Sequence, residues 1–154
     1  GKSSNDQIIK TLAQQGIRLT NDSRLTTQNS QLNEVEVELW GSGKPRREFL
    51  HVFDMAQASL FVLELDEHTY KVNTKPMLSH INVGTSMDVT IQEMAEAMKQ
   101  VVGFKGNLAF DTTKPDGALR KLIDVSRLKS MGWNYAIDLT EGLNKTYIWY
   151  KNDK

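Results

Sequence analysis

The sequence predicts a mixed α/β (α+β) domain, and three observations carry that prediction. Residues 34–40, EVEVELW, alternate strictly between acidic and apolar positions, which is the period of a strand. Residues 90–103 place apolar side chains at helical spacing between a start signal and a glycine stop. Between them, LSHINVG reads as a further strand-length segment closed by Gly84.

Residues 1–4 read as linker. Asp6 to Gln15 reads as a short helix with Ile8, Ile9 and Leu12 on one face and Gly16 as its stop. Residues 19–33, LTNDSRLTTQNSQLN, are polar and aperiodic and read as a loop or linker. Residues 1–33 thus form an N-terminal helix and polar linker, and residues 34–154 the main domain. In the strand at 34–40, Val35, Val37 and Leu39 face inward, and Glu34, Glu36 and Glu38 face water. After the turn GSGKP, a second strand is expected over Arg47 to Val52. Asp54 then caps a helix to about Leu65, with Met55, Ala58, Leu60 and Val62 mostly inward. EHTYKVNTKPM reads as a connecting loop. Thr90 and Glu93 have capping-box spacing, and Ile91, Met94, Ala95, Met98 and Val102 follow as one helix face. NLAF reads as a short strand, and Asp124 to Met131 as a short helix ended by Gly132. A last helix starts at Asp138 and Glu141 and carries Leu143, Tyr147 and Tyr150 toward the core.

Composition narrows the function. The 154 residues carry 19 Lys plus Arg and 19 Asp plus Glu, a net charge of zero. That argues against a nucleic-acid binder, whose affinity rests on a basic surface. With no cysteine and three scattered histidines, a metal site is not expected. His51, His68 and His80 read as structural. No apolar run approaches the ~20 residues of a membrane span, and no signal-peptide core opens the sequence, so a cytoplasmic protein without membrane contact is expected.

Two clusters carry chemistry. In GSGKPRREF, two glycines permit a sharp turn or a close backbone approach. Lys44, Arg46 and Arg47 follow, cations of a kind that bind phosphate oxygens through charge-assisted hydrogen bonds of ~1.5–3 kcal/mol each. Trp40 offers a flat face for a purine or sugar. The second cluster is Lys114, Asp116, Arg120 and Lys121 around a Pro-Asp-Gly turn. There an Asp between cations suits sugar hydroxyls or a guanine edge. Local spacing alone favours two solvated basic turns, the first with a core Trp beside it.

The stretches WGSGKPRREFLHV, HINVGTSMDVTIQEMAEAM, VVGFKGNLAFDTTKPDGALRKLIDVSRLKSMGW and LTEGLNKTYIWY resemble the C-terminal, substrate-binding half of the GDP-L-fucose synthase family. These are extended short-chain dehydrogenases, also called GDP-4-keto-6-deoxymannose epimerase/reductases. The resemblance runs from Val37 to Lys151 in unbroken order. REF-x-HV and INVG are shared across many nucleotide-sugar epimerases, whereas WGSG-x-P-x-REF with KPDG-x-x-RK is specific to this branch. The resemblance implies that Trp40, Arg47 and Asp116 contact a GDP-sugar and that Lys121 lies near its diphosphate. One departure is visible: the family's HVDDMA is HVFDMA here, so Phe53 replaces an Asp.

The family's NADP chemistry implies a G-x-x-G-x-x-G turn before a helix N-terminus and a Ser with a Tyr-x-x-x-Lys pair. No such glycine-rich turn is present in the sequence. Tyr147 and Lys151 match Tyr-x-x-x-Lys, but in the final helix, where the family has a structural element. No catalytic residue and no cofactor are therefore expected for this chain alone, although the full-length family uses NADP. A missing Rossmann half, or self-association in its place, is the expected partner besides the GDP-sugar, because its loss exposes Phe49, Leu60 and Val62. The alternatives are a non-catalytic interaction module and a domain for a UDP- or dTDP-sugar.

Overall fold

A computed structural model describes residues 5–19 and 35–153, which divide into two compact units. The first comprises Gly1–Pro45 and Ile91–Leu119, and the second Arg46–Thr90 and Arg120–Lys154. Expectations for residues 1–4 and 20–34 lie outside the described residues, including the boundary after residue 33.

In the first unit, helix α1 (Asn5–Gln14) leads into strand β1 (Ile17–Leu19) through Gly16, whose φ of 73° is the left-handed conformation a helix stop needs. Strand β2 (Val35–Trp40) pairs antiparallel with β1 and parallel with β5 (Asn107–Asp111). The expected wet glutamate face is instead partly covered, because β2 is the central strand. Glu38 meets Arg18 of β1 at 2.8 Å. Helix α4 (Ile91–Val102) matches its predicted bounds. The carbonyls of Pro45 and Gly43 accept from the Ile91 and Gln92 amides, two donors of the first turn. Gly103 ends α4 at φ 70°, with Phe104 N–H bonded to the Lys99 carbonyl.

The second unit holds a three-stranded sheet in the order β4 (Asp88–Thr90), β3 (Arg46–Glu48), β6 (Arg120–Lys121). Its core is Ala58, Leu128 and Trp133, with Leu50, Phe61 and Val83 packed against them. Helix α5 (Ser126–Ser130) ends at Gly132 with φ 104°, and Trp133 turns back into the core. Helix α6 (Leu139–Asn152) is capped by Asp138, whose carboxylate accepts from Glu141 N–H at 2.9 Å.

The structure corrects several expectations. The strand expected over residues 47–52 is only Arg46–Glu48, because its partners extend no further and His51 already caps helix α2 (Val52–Leu63). The His51 Nδ1 accepts from Phe53 N–H at 3.2 Å, so Asp54 is not the cap. Phe53 itself is exposed, its ring 5.2 Å from that of His51. Residues 67–77 are not all loop: Asp66 accepts from the Thr69 amide and hydroxyl and starts helix α3 (Glu67–Asn73). LSHINVG forms no ladder with any described strand; only Leu78 makes an isolated bridge, with Lys75. Met55, Leu60 and Tyr150 are exposed rather than inward. Strands β1, β4 and β6 have no counterpart among the strands expected from sequence, since runs of two or three residues carry no period.

Candidate functional site

The candidate residues fall in two groups, one in each unit. In the first unit the GSG turn leaves the carboxyl end of β2, and the KPDG loop follows the carboxyl end of its parallel neighbour β5. Ligands of open α/β sheets bind outside such strand ends. The turn is closed by Asp116, which accepts from Ser42 N–H at 2.8 Å and from Ser42 Oγ at 2.6 Å. The expected pair of Trp40 and Asp116 is therefore brought to one end of one sheet. Both Asp116 oxygens are engaged by Ser42, a structural role that the spacing does not reveal. Gly41 has φ 85°, and a Cβ there would meet Asp116 Oδ1 at 2.4 Å, so the carboxylate takes the space a side chain would occupy.

Trp40 is 74% exposed, which overturns the core reading of this residue. The Lys114 ammonium lies 5.7 Å from its ring centroid, a cation–π distance. The platform and its cation are thus available to a ligand on the solvent side.

The Ser42 hydroxyl first, and then its amide, hold the Asp116 carboxyl below the ordinary aspartate range. A depressed folded value means that this contact adds stability above that range and loses it as pH falls through the folded value. Below about pH 4, the turn is expected to loosen, and Trp40 emission reports it. An Asp116→Asn variant should lack that acid step; an identical step in both proteins would contradict the assignment.

In the second unit β3 and β6 pair in parallel with Arg46 opposite Arg120 and Arg47 opposite Lys121. Register partners share a sheet face and alternate along the strand. Arg47, expected to contact the GDP-sugar, and Lys121, expected near its diphosphate, are therefore neighbours on one face. That same face opens on a cavity of about 240 Å³ lined by Arg47, Phe49, Met87, Val89, Tyr135 and the start of α6. The Tyr135 hydroxyl donates to Met87 Sδ at 3.2 Å and orders one wall.

The opposite face holds residues that motif reading misses. Glu48 Oε1 accepts from the Thr85 and Ser86 amides, the latter at 2.7 Å, and Oε2 accepts from Ile123 N–H at 3.0 Å. The REF motif is thus joined to the Thr85–Ser86 turn that directly follows INVG. Gly84 belongs to this joint, because a Cβ there would meet Glu48 Oε1 at 2.4 Å. The spacing of Arg46 and Glu48, two apart in a strand, is the available signal that these charges share a face. Asp54 is likewise a joint: its carboxylate, 4% exposed, accepts from Ala136 and Ile137 amides at 3.0 Å each.

Tyr147 and Lys151 lie one turn apart on α6, with the ammonium 4.8 Å from the ring centroid. Among the described residues no group of His, Asp and Glu is arranged to hold a metal, and no helix is long and apolar enough to cross a membrane.

The model of the NAD dependent epimerase/dehydratase family matches residues 18–84. The GDP-L-fucose synthase of Escherichia coli (strain K12) is 55% identical over 118 residues, which are 77% of this chain and 37% of that protein. A putative GDP-L-fucose synthase 2 of Arabidopsis thaliana is 52% identical over 118 residues, or 33% of its length. The crystal structure of a GDP-6-OMe-4-keto-L-xylo-heptose reductase from C. jejuni superposes with a TM-score of 0.79 at 33% identity, covering 99% of this chain and 40% of that one. The chain therefore spans between a third and two fifths of these relatives. The resemblance to the GDP-L-fucose synthases drawn from the motifs is borne out, as is the fold of part of an extended short-chain dehydrogenase.

Proposed function

We propose that this chain, similar in sequence and fold to part of the GDP-L-fucose synthases, is the portion that binds the nucleotide sugar, GDP-4-keto-6-deoxymannose or GDP-fucose. The observation that carries the reading is the register of β3 and β6. It sets Lys121 beside Arg47, and of the two Arg47 lines the cavity. Two adjacent cations suit a diphosphate, and the planar Arg fork can engage two of its oxygens at once. A cavity of about 240 Å³ is below the ~300–1,000 Å³ of a drug-sized ligand site, so it fits one part of a nucleotide sugar. In the first unit, Trp40 offers a stacking face and Asp116 fixes the turn that carries it. NADP chemistry is not assigned to these residues, because the sequence carries neither the glycine-rich turn nor the Ser/Tyr/Lys set. We place the protein in the cytoplasm, as its nucleotide-sugar ligand suggests.

A second reading is favoured by the apolar exposure of α2, where Val52, Leu60 and Leu63 face outward. Such a surface suits self-association or a Rossmann-type partner. Thermal unfolding with GDP, UDP and dTDP separates the readings. GDP at a hundredfold excess over its Kd stabilises by about 2.7 kcal/mol, and a clear upward shift with GDP alone is expected. A shift only with UDP or dTDP would move the assignment to another nucleotide sugar. No shift with any of the three would leave the interaction module.

A further inference from the structure

The face of the small sheet that turns away from the cavity carries a two-arginine clamp. Asp88 Oδ1 accepts from Arg46 Nε at 2.9 Å, and the Asp88 carbonyl accepts from Arg46 Nη2 at 2.8 Å. Its other carboxylate oxygen accepts from Arg120 Nε. The Asp88 side chain is 4% exposed, so this carboxylate is shielded while its two guanidinium partners reach the surface. Glu48 stands opposite Asp88 in register, yet its own oxygens are turned to Thr85, Ser86 and Ile123. Asp88 is thus the carboxylate that both arginines share.

Strand β6 is only Arg120 and Lys121. A parallel pair of that length gains little from its ladder. The side-chain bond from inside β6 to another strand of the sheet is therefore a large part of what seats it. The residue so seated is Lys121, beside Arg47.

We propose that Asp88 is a positioning residue: by bridging Arg46 and Arg120 it fixes β6 against β3 and so sets Lys121 beside Arg47 on the cavity face. The importance of that placement rests on the diphosphate role proposed for Arg47 and Lys121, but the clamp itself does not. Because Asp88 is on the far face, it does not itself reach a ligand on the cavity face. Removing its charge should free β6 and, with it, the contribution of Lys121.

Two measurements on the 154-residue chain test this. Trypsin cuts after Arg120 and Lys121, and cleavage of a transiently opened segment tracks its opening equilibrium. Asp88→Asn should speed cleavage there about tenfold and leave cleavage after Lys145 in α6 unchanged. GDP calorimetry then gives a double-mutant cycle. Lys121→Ala should weaken binding about tenfold in the wild-type background and less than twofold in Asp88→Asn. Unchanged cleavage at β6, or an equal cost of Lys121→Ala in both backgrounds, would overturn the proposal. If Asp88→Asn fails to fold, Arg120→Met keeps the Asp88–Arg46 bond, releases only β6, and leaves the Lys121 cleavage site for the same readings. Faster cleavage at β6 in a chain that binds no GDP would support the clamp and overturn only the diphosphate reading.

Discussion

Asp54→Ala is expected to lower the unfolding free energy by about 3 kcal/mol, with Asp54→Asn costing roughly half of that. The reason is geometric. Both oxygens of a carboxylate with 4% exposure accept backbone amides, those of Ala136 and Ile137, immediately before the cap of α6. Removing both acceptors leaves two donors without partners, and a buried unsatisfied donor costs about 1–3 kcal/mol. Asn keeps one acceptor and presents a donor where the second amide needs an oxygen. Urea unfolding followed by fluorescence reads the loss, with buried Trp133 as the probe in this unit. A midpoint shift at constant slope is the expected form. An Ala variant as stable as wild type would show that Asp54 does not join α2 to the start of α6.

Gly43→Ala has the second large effect, about 2–5 kcal/mol, and it falls on the first unit. Gly43 has φ 73°, a conformation that costs a residue with a Cβ about 1–2 kcal/mol. The Cβ would also meet Phe110 Cε1 at 2.6 Å, so a ring of β5 must move, and overpacking of this kind costs about 1–3 kcal/mol more. The Gly43 carbonyl accepts from Gln92 N–H at 3.0 Å, so displacement of the turn also disturbs the start of α4. Gly103→Ala is the internal control. It has φ 70° but no atom within 4 Å of an added methyl, so it should show only the conformational cost of about 1–2 kcal/mol. Equal losses at the two positions would remove the packing argument.

How much of this is legible in the sequence depends on how far apart the interacting residues lie. Helix α4 and the start of α6 can be read nearly to the residue because their signals are local: Gly103 stops one and Asp138 caps the other. Strand β2 is legible from its alternation, but the cover on its glutamate face is not, because that comes from β1 and from the Arg18–Glu38 pair. Asp54 reads as a cap since it stands near a helix start. Its real partners, Ala136 and Ile137, are distant in the chain and donate through backbone, which side-chain patterns do not show. Asp66 with Thr69, by contrast, is a local cap signal inside a segment that reads as loop.

The candidate site follows the same rule. Motifs and resemblance point to Trp40, Arg47, Asp116 and Lys121; of these the structure exposes Trp40, sets Arg47 beside Lys121 in register and turns Asp116 to Ser42. What motifs cannot give is the pairing of Arg47 with Lys121, which depends on the two-residue strand β6. Nor can they show that Asp116 is spent on Ser42, or that Glu48 and Asp88 brace the reverse face.

Calorimetric titration of GDP into wild type and Arg47→Ala tests the central claim most directly. Loss of a charge-assisted phosphate contact of about 1.5–3 kcal/mol predicts a Kd raised roughly ten- to a hundredfold. Arg47 is half-buried and its Nη1 donates to the Arg46 carbonyl at 2.7 Å, so a melting curve of the variant accompanies the titration and shows that it is folded. Equal affinity of the two proteins for GDP would contradict the account.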